Sequence, residues 1–377
     1  VSDLEAYRAE LVGWLEANLD QEVIAAGHQP LEEGDNFAIL RAWNARLADA
    51  GWASPSWPAR WGGRDAGIAE QLAWFEEMTR RQAPGVINVI GCANIAPAIM
   101  TFADESTQER HLRPMLRGDE IWSQGMSEPD AGSDLASLST RAERQGDVFI
   151  VNGQKIWNSL GSYADFCQLY VRTDPEAPKH KGISCLLVDM SSPGIEVRAL
   201  RTMAGDHQFA EVFFADVEVP ANQLLGELNQ GWSVAMTTLS YERAGVARFH
   251  LMLSDRLGRL IEEATRTGRR ELRDPLIRDR IAQLHIEIAS MRFMTTRELE
   301  AVGAGRQPSA AVGSAAKLMW ARASQDLAVL AIDVLGLGAL DGPWGRDLLG
   351  SPSSSIAGGT TNINKNILAE QSLGLPR

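Results

Sequence analysis

Cysteine is scarce in this chain: only Cys92, Cys167 and Cys185 occur in 377 residues. Each lies in an apolar run and none has metal-ligand spacing, so neither a disulfide framework nor a metal site is expected. The three read as small buried hydrophobes of a reducing cytosol. Positive charge is also in short supply, with 36 Lys and Arg against 49 Asp and Glu and a net charge of −13. With no long basic run, nucleic acid and anionic membrane are poor partners. No segment has the length and apolarity to span a bilayer. The first residues, Val-Ser-Asp-Leu-Glu-Ala-Tyr-Arg, are too acidic for a signal peptide and look helical, so a cytoplasmic location is expected. No repeat or low-complexity tract interrupts the chain.

What is present is the composition of an ordinary globular protein, 45% hydrophobic and 23% charged. A chain of this length should hold two or three domains around sizeable cores. Residues 1–121 read helical, with three-and-four spacing over Leu4–Leu19, Phe37–Ala50, Ile68–Arg81 and Ile87–Phe102. Between them, residues 51–58 are turn chemistry with Trp52 and Trp57 as aromatic anchors. Residues 122–228 switch to period two. Strands are expected at Val148–Asn152, Phe166–Arg172, Gly182–Asp189, Gly194–Leu200 and Val212–Val219, the last closed by Pro220. Residues 229–377 return to helices, long ones from Gly231 to about Leu340. Asp341–Gly359 is a Gly/Pro/Ser-rich connection, and Asn362–Leu373 a last helix.

Two stretches carry chemistry. In Gly125-Met126-Ser127-Glu128-Pro129-Asp130-Ala131-Gly132-Ser133-Asp134, Pro129 fixes one backbone angle and Gly132 permits a turn that other residues resist. Such a loop can aim N–H groups and the hydroxyls of Ser127 and Ser133 at an anion or a polar ring edge. Taken alone it is better read as a surface turn rich in small residues. The strand at Val148 then runs into Asn152-Gly153, a hairpin signal. Lys155-Ile156-Trp157-Asn158-Ser159 follows. Trp157 offers a flat face for an aromatic ring system, with the Ser159 hydroxyl nearby.

Loop, hairpin, Trp and Ser in this order resemble the flavin cradle of the acyl-CoA dehydrogenase family. The succession of helices, sheet and helices resembles that family over the whole chain. The resemblance implies an α+β fold: a helical amino-terminal domain (1–121), a middle β-barrel-like domain (122–228) and a carboxyl-terminal four-helix bundle (229–377). It implies FAD as cofactor, an acyl-CoA thioester as substrate and α,β-dehydrogenation to the trans-2-enoyl-CoA as reaction. Gln124, Met126 and Ser127 would meet the flavin ring edge, where many relatives carry an aromatic residue in place of Gln124. Ser133, with the Gly132 turn, would hold the pyrophosphate and border the substrate. Trp157 and Ser159 would cover the N5 side, and Thr360 and Asn362 would make the carboxyl-terminal flavin contacts.

The reaction needs a carboxylate base in an apolar site, where desolvation raises its pKa. Much of the family places that Glu just before a late Gly-Thr. Here the run is Ser355-Ile356-Ala357-Gly358-Gly359-Thr360-Thr361-Asn362, and Gly358 stands where the Glu would be. Branched-chain and long-chain members place it instead before an Arg on the first long helix of the last domain. Here that position is Glu242-Arg243. The residues agree: Ala235, Leu239, Val246, Phe249 and Leu253 form a stripe at three-and-four spacing, and Glu242 lies on it. A carboxylate there is either paired or has a raised pKa. Arg243 is a poor partner because neighbouring helical residues do not face each other. By resemblance, the N–H of Gly358 would bind the thioester oxygen and Arg243 would position the pantetheine arm; a solvated charge suits Arg243 as well.

Homotetrameric relatives carry an Arg-x-x-Phe-Gly run that grips the neighbouring subunit's FAD. Residues 268–275 here contain no Phe-Gly, and the later glycine-rich contact is only Leu335-Gly336-Leu337-Gly338. The expected assembly is therefore a homotetramer or a heterotetramer with a related chain, as in actinobacterial members that oxidise steroid side chains. An electron-transfer flavoprotein would accept the electrons. A non-catalytic subunit and a flavin oxidase or monooxygenase on the same fold are the alternatives. Small residues at Gly91, Ala93 and Ala96 suit either a widened acyl pocket for branched or bulky chains or close helix packing.

Overall fold

A computed structural model describes residues 3–244, 249–303, 306 and 309–376, apart from the side chains of 241–244, 302 and 303. Six helices come first: α1 (Asp3–Asn18), α2 (Gln21–Gly27), α3 (Asn36–Asp49), α4 (Ile68–Arg80), α5 (Ala96–Phe102) and α6 (Glu105–Arg117). The periodicity finds α1, α3 and α4 but passes over α2 and α6. Both start on an aspartate cap: Asp20 accepts from Val23 N at 2.9 Å and Asp104 from Thr107 N at 2.8 Å. The run expected as one helix over Ile87–Phe102 is two elements, a π-helical turn at Ile90–Ile95 and then α5. Pro97 has no N–H to give to the helical ladder, which accounts for the break. Trp52 and Trp57 are buried anchors as expected, and Trp57 Nε1 donates to Cys92 O at 3.1 Å.

Seven strands follow: β1 (Trp122–Gly125), β2 (Arg141–Gln145), β3 (Val148–Ser159), β4 (Phe166–Arg172), β5 (Ile183–Asp189), β6 (Ile195–Leu200) and β7 (Phe209–Pro220). They form one curled sheet in the order β1-β4-β2-β3-β7-β6, with β5 added on β4. β1 lies parallel to β4, Gln124 beside Gln168. β4 and β5 are buried on both faces. Tyr170 and Cys185 meet the helical layer, while Cys167, Leu169 and Leu186 fill the interior of the curled sheet.

The Asn152-Gly153 hairpin does not exist. β3 runs through it with a register shift between Val151 and Gly153. Gly153 has φ +149°, and a Cβ there would lie 2.6 Å from Thr140 Cα, so the glycine serves a bulge and a close backbone approach. The hairpin turns earlier, at Gly146-Asp147, between Gln145 and its partner Val148.

Among the described residues six α-helices follow: α7 (Gly231–Ala244), α8 (Phe249–Arg266), α9 (Pro275–Gly303), α10 (Ala310–Leu335), α11 (Pro343–Gly350) and α12 (Thr361–Leu373). α11 occupies the middle of the stretch that composition marks as a connection. Leu253, Leu257, Leu284, Met291, Leu327 and Val334 build a second core among α8, α9 and α10. The stripe expected along one helix is divided: Ala235 belongs to the first core, Leu253 to the second, and Leu239 is half-buried. Val246 lies outside the described residues. α7 packs on β5, the π-helical turn, α5 and α10. Buried Thr238 pins it to β4, meeting Gln168 Nε2 at 3.4 Å and Tyr170 Oη at 3.2 Å. Among the described residues no helix is long and apolar enough to cross a membrane.

Candidate active site

The loop after β1 closes on itself. Glu128 N donates to Ala131 O at 3.0 Å and Ala131 N to Glu128 O at 3.1 Å, around Pro129-Asp130. Beneath it lies a group that sequence reasoning quoted without assigning a role. The Glu128 carboxylate, 5% exposed, accepts from Ser139 N at 2.6 Å, Ser139 Oγ at 2.8 Å, Thr140 N at 2.8 Å and Lys155 Nζ at 2.8 Å. Lys155, fully buried, also donates to Met126 O at 3.0 Å. Burial alone would raise the Glu128 pKa. The Lys155 charge and the surrounding donors outweigh it and hold the carboxyl at about 2. Burial pulls the Lys155 ammonium below its usual value, against the attraction of Glu128. The signal was legible: Phe149, Val151 and Gly153 share the inward phase of β3 with Lys155, and a lysine in that phase must be paired.

A second tie joins loop and strand. Ile156 N donates to Ser127 O at 2.9 Å. The structure thus brings Met126 and Ser127 together with the 155–157 segment. Directly beyond, the β3–β7 register shifts again between Lys155 and Asn158. Within that bulge Trp157 holds φ +64°, a conformation that bulky residues avoid. Its ring is 59% exposed, supported edge-on by Phe209 at 5.9 Å. Ser159 pairs with Phe209 in the ladder and is half-buried. Gln124 is half-buried on β1 and accepts from Asn94 Nδ2 at 3.5 Å, while its own Nε2 is buried without a hydrogen-bond partner among the described residues.

Gly132 and Ser133 are exposed. Gly132 is not among the positive-φ glycines, and a Cβ there would meet no protein atom within 4 Å. The expectation of a turn that needs glycine at 132 is therefore corrected: the two hydrogen bonds around Pro129-Asp130 make the turn. Gly91 and Ala96 are packed rather than pocket-lining. A Cβ on Gly91 would sit 2.7 Å from Asn88 Oδ1, Ala96 is fully buried, and of the three small residues Ala93 alone is exposed.

The carboxyl-terminal group is separate. Gly358 (φ +67°) and Gly359 (φ +91°) form an exposed turn. Thr360 caps α12, accepting from Ile363 N at 3.3 Å, and Asn362 is exposed in the first turn. α12 rests on α10, and α10 touches α7. α7 is thus linked to the carboxyl-terminal group through α10, and to the sheet through β4 and β5. Glu242 and Arg243 stand in its last turn, with side chains outside the described residues. A cleft of about 270 Å³ opens elsewhere, beside Arg110, His111, Phe166 and Gln223, and none of the described candidate site residues lines it.

Models of the acyl-CoA dehydrogenase amino-terminal, middle and carboxyl-terminal domains match residues 6–119, 123–217 and 229–373. The chain belongs to the acyl-CoA dehydrogenase family. It is 38% identical to acyl-CoA dehydrogenase IpdE1 of Mycobacterium tuberculosis, over 100% of this chain and 99% of that protein. Among solved structures it superposes on the Tcur3481–Tcur3483 steroid ACAD with a TM-score of 0.87 at 29% identity, covering 99% of this chain and 98% of that one. It superposes on the ChsE4–ChsE5 complex of Mycobacterium tuberculosis with a TM-score of 0.86 at 29% identity, covering 100% and 98%. This acyl-CoA dehydrogenase is accordingly an FAD flavoprotein and an oxidoreductase acting on CH–CH groups. The residues present fit the cofactor. Trp157 turns a flat aromatic outward beside a loop of small residues, and the face at Gly132 leaves room for close approach.

Proposed function

We propose that Glu242 removes the α-proton of a bulky acyl-CoA thioester held between α7 and the loop of residues 126–133. The observation that carries this reading is the lock between Ser127 and Ile156 beside outward-facing, strained Trp157. FAD supplies the acceptor for the β-hydride. Gln124, Met126 and Ser127 border its ring, Trp157 and Ser159 cover one side, and Ser133 with Gly132 takes the pyrophosphate. Thr360 and Asn362 complete the contacts from the other group. The Gly358 N–H donates to the thioester oxygen, stabilising enolate-like charge as the proton leaves. Arg243 steers the pantetheine arm. The domain boundaries proposed, 121/122 and 228/229, place Glu242 on the first helix of the third domain.

The steroid ACAD named above supports a ring-bearing, steroid-derived acyl group. The two heteromeric neighbours support a heterotetramer with a related chain. So does the exposure of Trp157 and Gly358, which in one chain leaves the cradle open to solvent. An electron-transfer flavoprotein is the proposed acceptor and the cytoplasm the proposed location. The test is an anaerobic titration of the purified chain with straight, branched and ring-bearing acyl-CoAs, followed by flavin absorbance. Bleaching by ring-bearing compounds supports the reading, and bleaching only by straight chains overturns the substrate class. A colourless chain that takes up no added FAD favours the second reading, a subunit whose site is completed by its partner.

A further inference from the structure

The Gly358-Gly359 turn poses a physical problem. Two successive glycines have the widest choice of backbone conformations any dipeptide has, and fixing them costs entropy. An N–H that stabilises developing charge must already be aimed before the reaction begins. Position 358 has no side chain with which to hold itself, so something else must hold it.

The turn is gripped from both ends. Downstream, Asn364 is 4% exposed, and its Nδ2 donates to Gly359 O at 2.8 Å and to Thr360 O at 3.1 Å. Thr360 already caps the helix through Ile363 N. The Asn364 amide is therefore not needed as a cap. It serves the carbonyl of Gly359, which lies ahead of the helix. The approach is close: a Cβ on Gly359 would be 3.1 Å from Asn364 Nδ2. Upstream, Lys317 on α10 is 8% exposed and donates to Ser354 O at 2.5 Å. Gln325 Nε2 donates to Ser355 Oγ at 2.6 Å, and Ser354 Oγ to Ala321 O at 3.3 Å. The segment entering the turn is thus seated on α10, and the segment leaving it is tied back by Asn364.

We propose that Asn364 is a positioning residue for the dehydrogenation: by fixing the Gly359 and Thr360 carbonyls it aims the Gly358 N–H at the thioester oxygen, with Lys317 anchoring the segment upstream. This rests on the reading of Gly358 as the thioester donor. Asn364, buried with its amide on the carbonyls of the turn, acts through Gly358 rather than on the substrate itself. Its effect is on how strongly the site acidifies a bound thioester.

The experiment uses the holoenzyme, with its partner chain if one is required, and acetoacetyl-CoA as probe. The enolate of that compound absorbs in the near ultraviolet and its formation needs no turnover. The wild-type enzyme should lower the apparent pKa of the bound probe below its value in water. Asn364→Asp, which is isosteric but has no N–H to donate, should raise it again by roughly one unit, a tenfold change. Kcat should fall by about tenfold with KM little changed. Asn364→Gln, which keeps the amide, should restore most of the shift. A wild-type enzyme that leaves the pKa of the probe at its solution value overturns the Gly358 reading and this proposal with it. A lowered pKa retained in Asn364→Asp overturns this proposal alone. Loss of flavin from Asn364→Asp in step with the shift would make Asn364 merely structural, and would also overturn it.

Discussion

The loop at 126–133 and the turn at 358–360 face the same proposed chemistry but are made rigid in opposite ways. The loop is held from below by charge: a buried carboxylate and a buried ammonium, with three further donors on the carboxylate. The turn carries no charge of its own and is held directly by a neutral amide reaching back from α12, while Lys317 anchors only the segment that enters it. A buried ion pair is unforgiving, because loss of one partner strands the other. A neutral hydrogen bond to a carbonyl can be lost at modest cost. The rigid region should therefore tolerate least, and the turn should fail gradually.

The largest expected effect tests the proposed base on α7. Glu242→Gln should keep FAD and acyl-CoA binding but slow flavin reduction by on the order of a thousandfold or more, as measured by stopped-flow absorbance. Near-normal reduction would remove the base from α7. Next, Lys155→Met should destabilise the protein by about 3–5 kcal/mol in urea unfolding, with loss of bound flavin. Adding Glu128→Gln should recover part of that loss. If the double variant is as unstable as the single, the pair is not the support described here.

Acid sharpens the same contrast. A carboxyl held at about 2 when folded, against an ordinary 4.5, contributes stability that is complete above 4.5 and is lost as pH falls toward 2. The wild-type melting temperature should drop through that window, and Glu128→Gln should flatten the part of the drop that Glu128 supplies. The smallest effect belongs to Trp157→Ala. Because the ring is largely exposed, stability should change by no more than about 1 kcal/mol. Calorimetric FAD affinity should weaken by roughly tenfold, an aromatic face being lost. Unchanged affinity would remove Trp157 from the cradle.

Much of the architecture was readable because it is periodic. β4 is found at its full extent because it is a short, largely apolar run bounded by turn residues, and α1, α3 and α4 nearly so because one face of each is apolar. Three things were not readable. The Asn152-Gly153 signal is spent on a bulge, because Thr140 lies across the glycine; a local turn preference cannot report a neighbour distant in sequence. The 126–133 loop owes its shape to Glu128 and Lys155, which are 27 residues apart, rather than to Gly132. Asn364 looks like any polar residue of an exposed helix until its burial is known. Of the residues quoted for the flavin loop, Met126 and Ser127 do meet the segment that carries Trp157. What holds them there had to be seen.

The three cysteines have a consequence beyond their packing. Burial raises the Cys92 thiol to about 12 and the Cys167 thiol to about 11, and Cys185 lies well above its ordinary value for the same reason. In the folded protein they should be silent toward alkylating reagents at neutral pH. They are also divided between compartments, with Cys92 and Cys185 under the amino-terminal helices and Cys167 inside the curled sheet. Labelling over time therefore becomes a pair of clocks. If Cys167 reacts in step with the other two, the helices and the sheet open as one unit. If it lags, the helical layer peels away first, and the interval between the clocks measures how independent the two layers are.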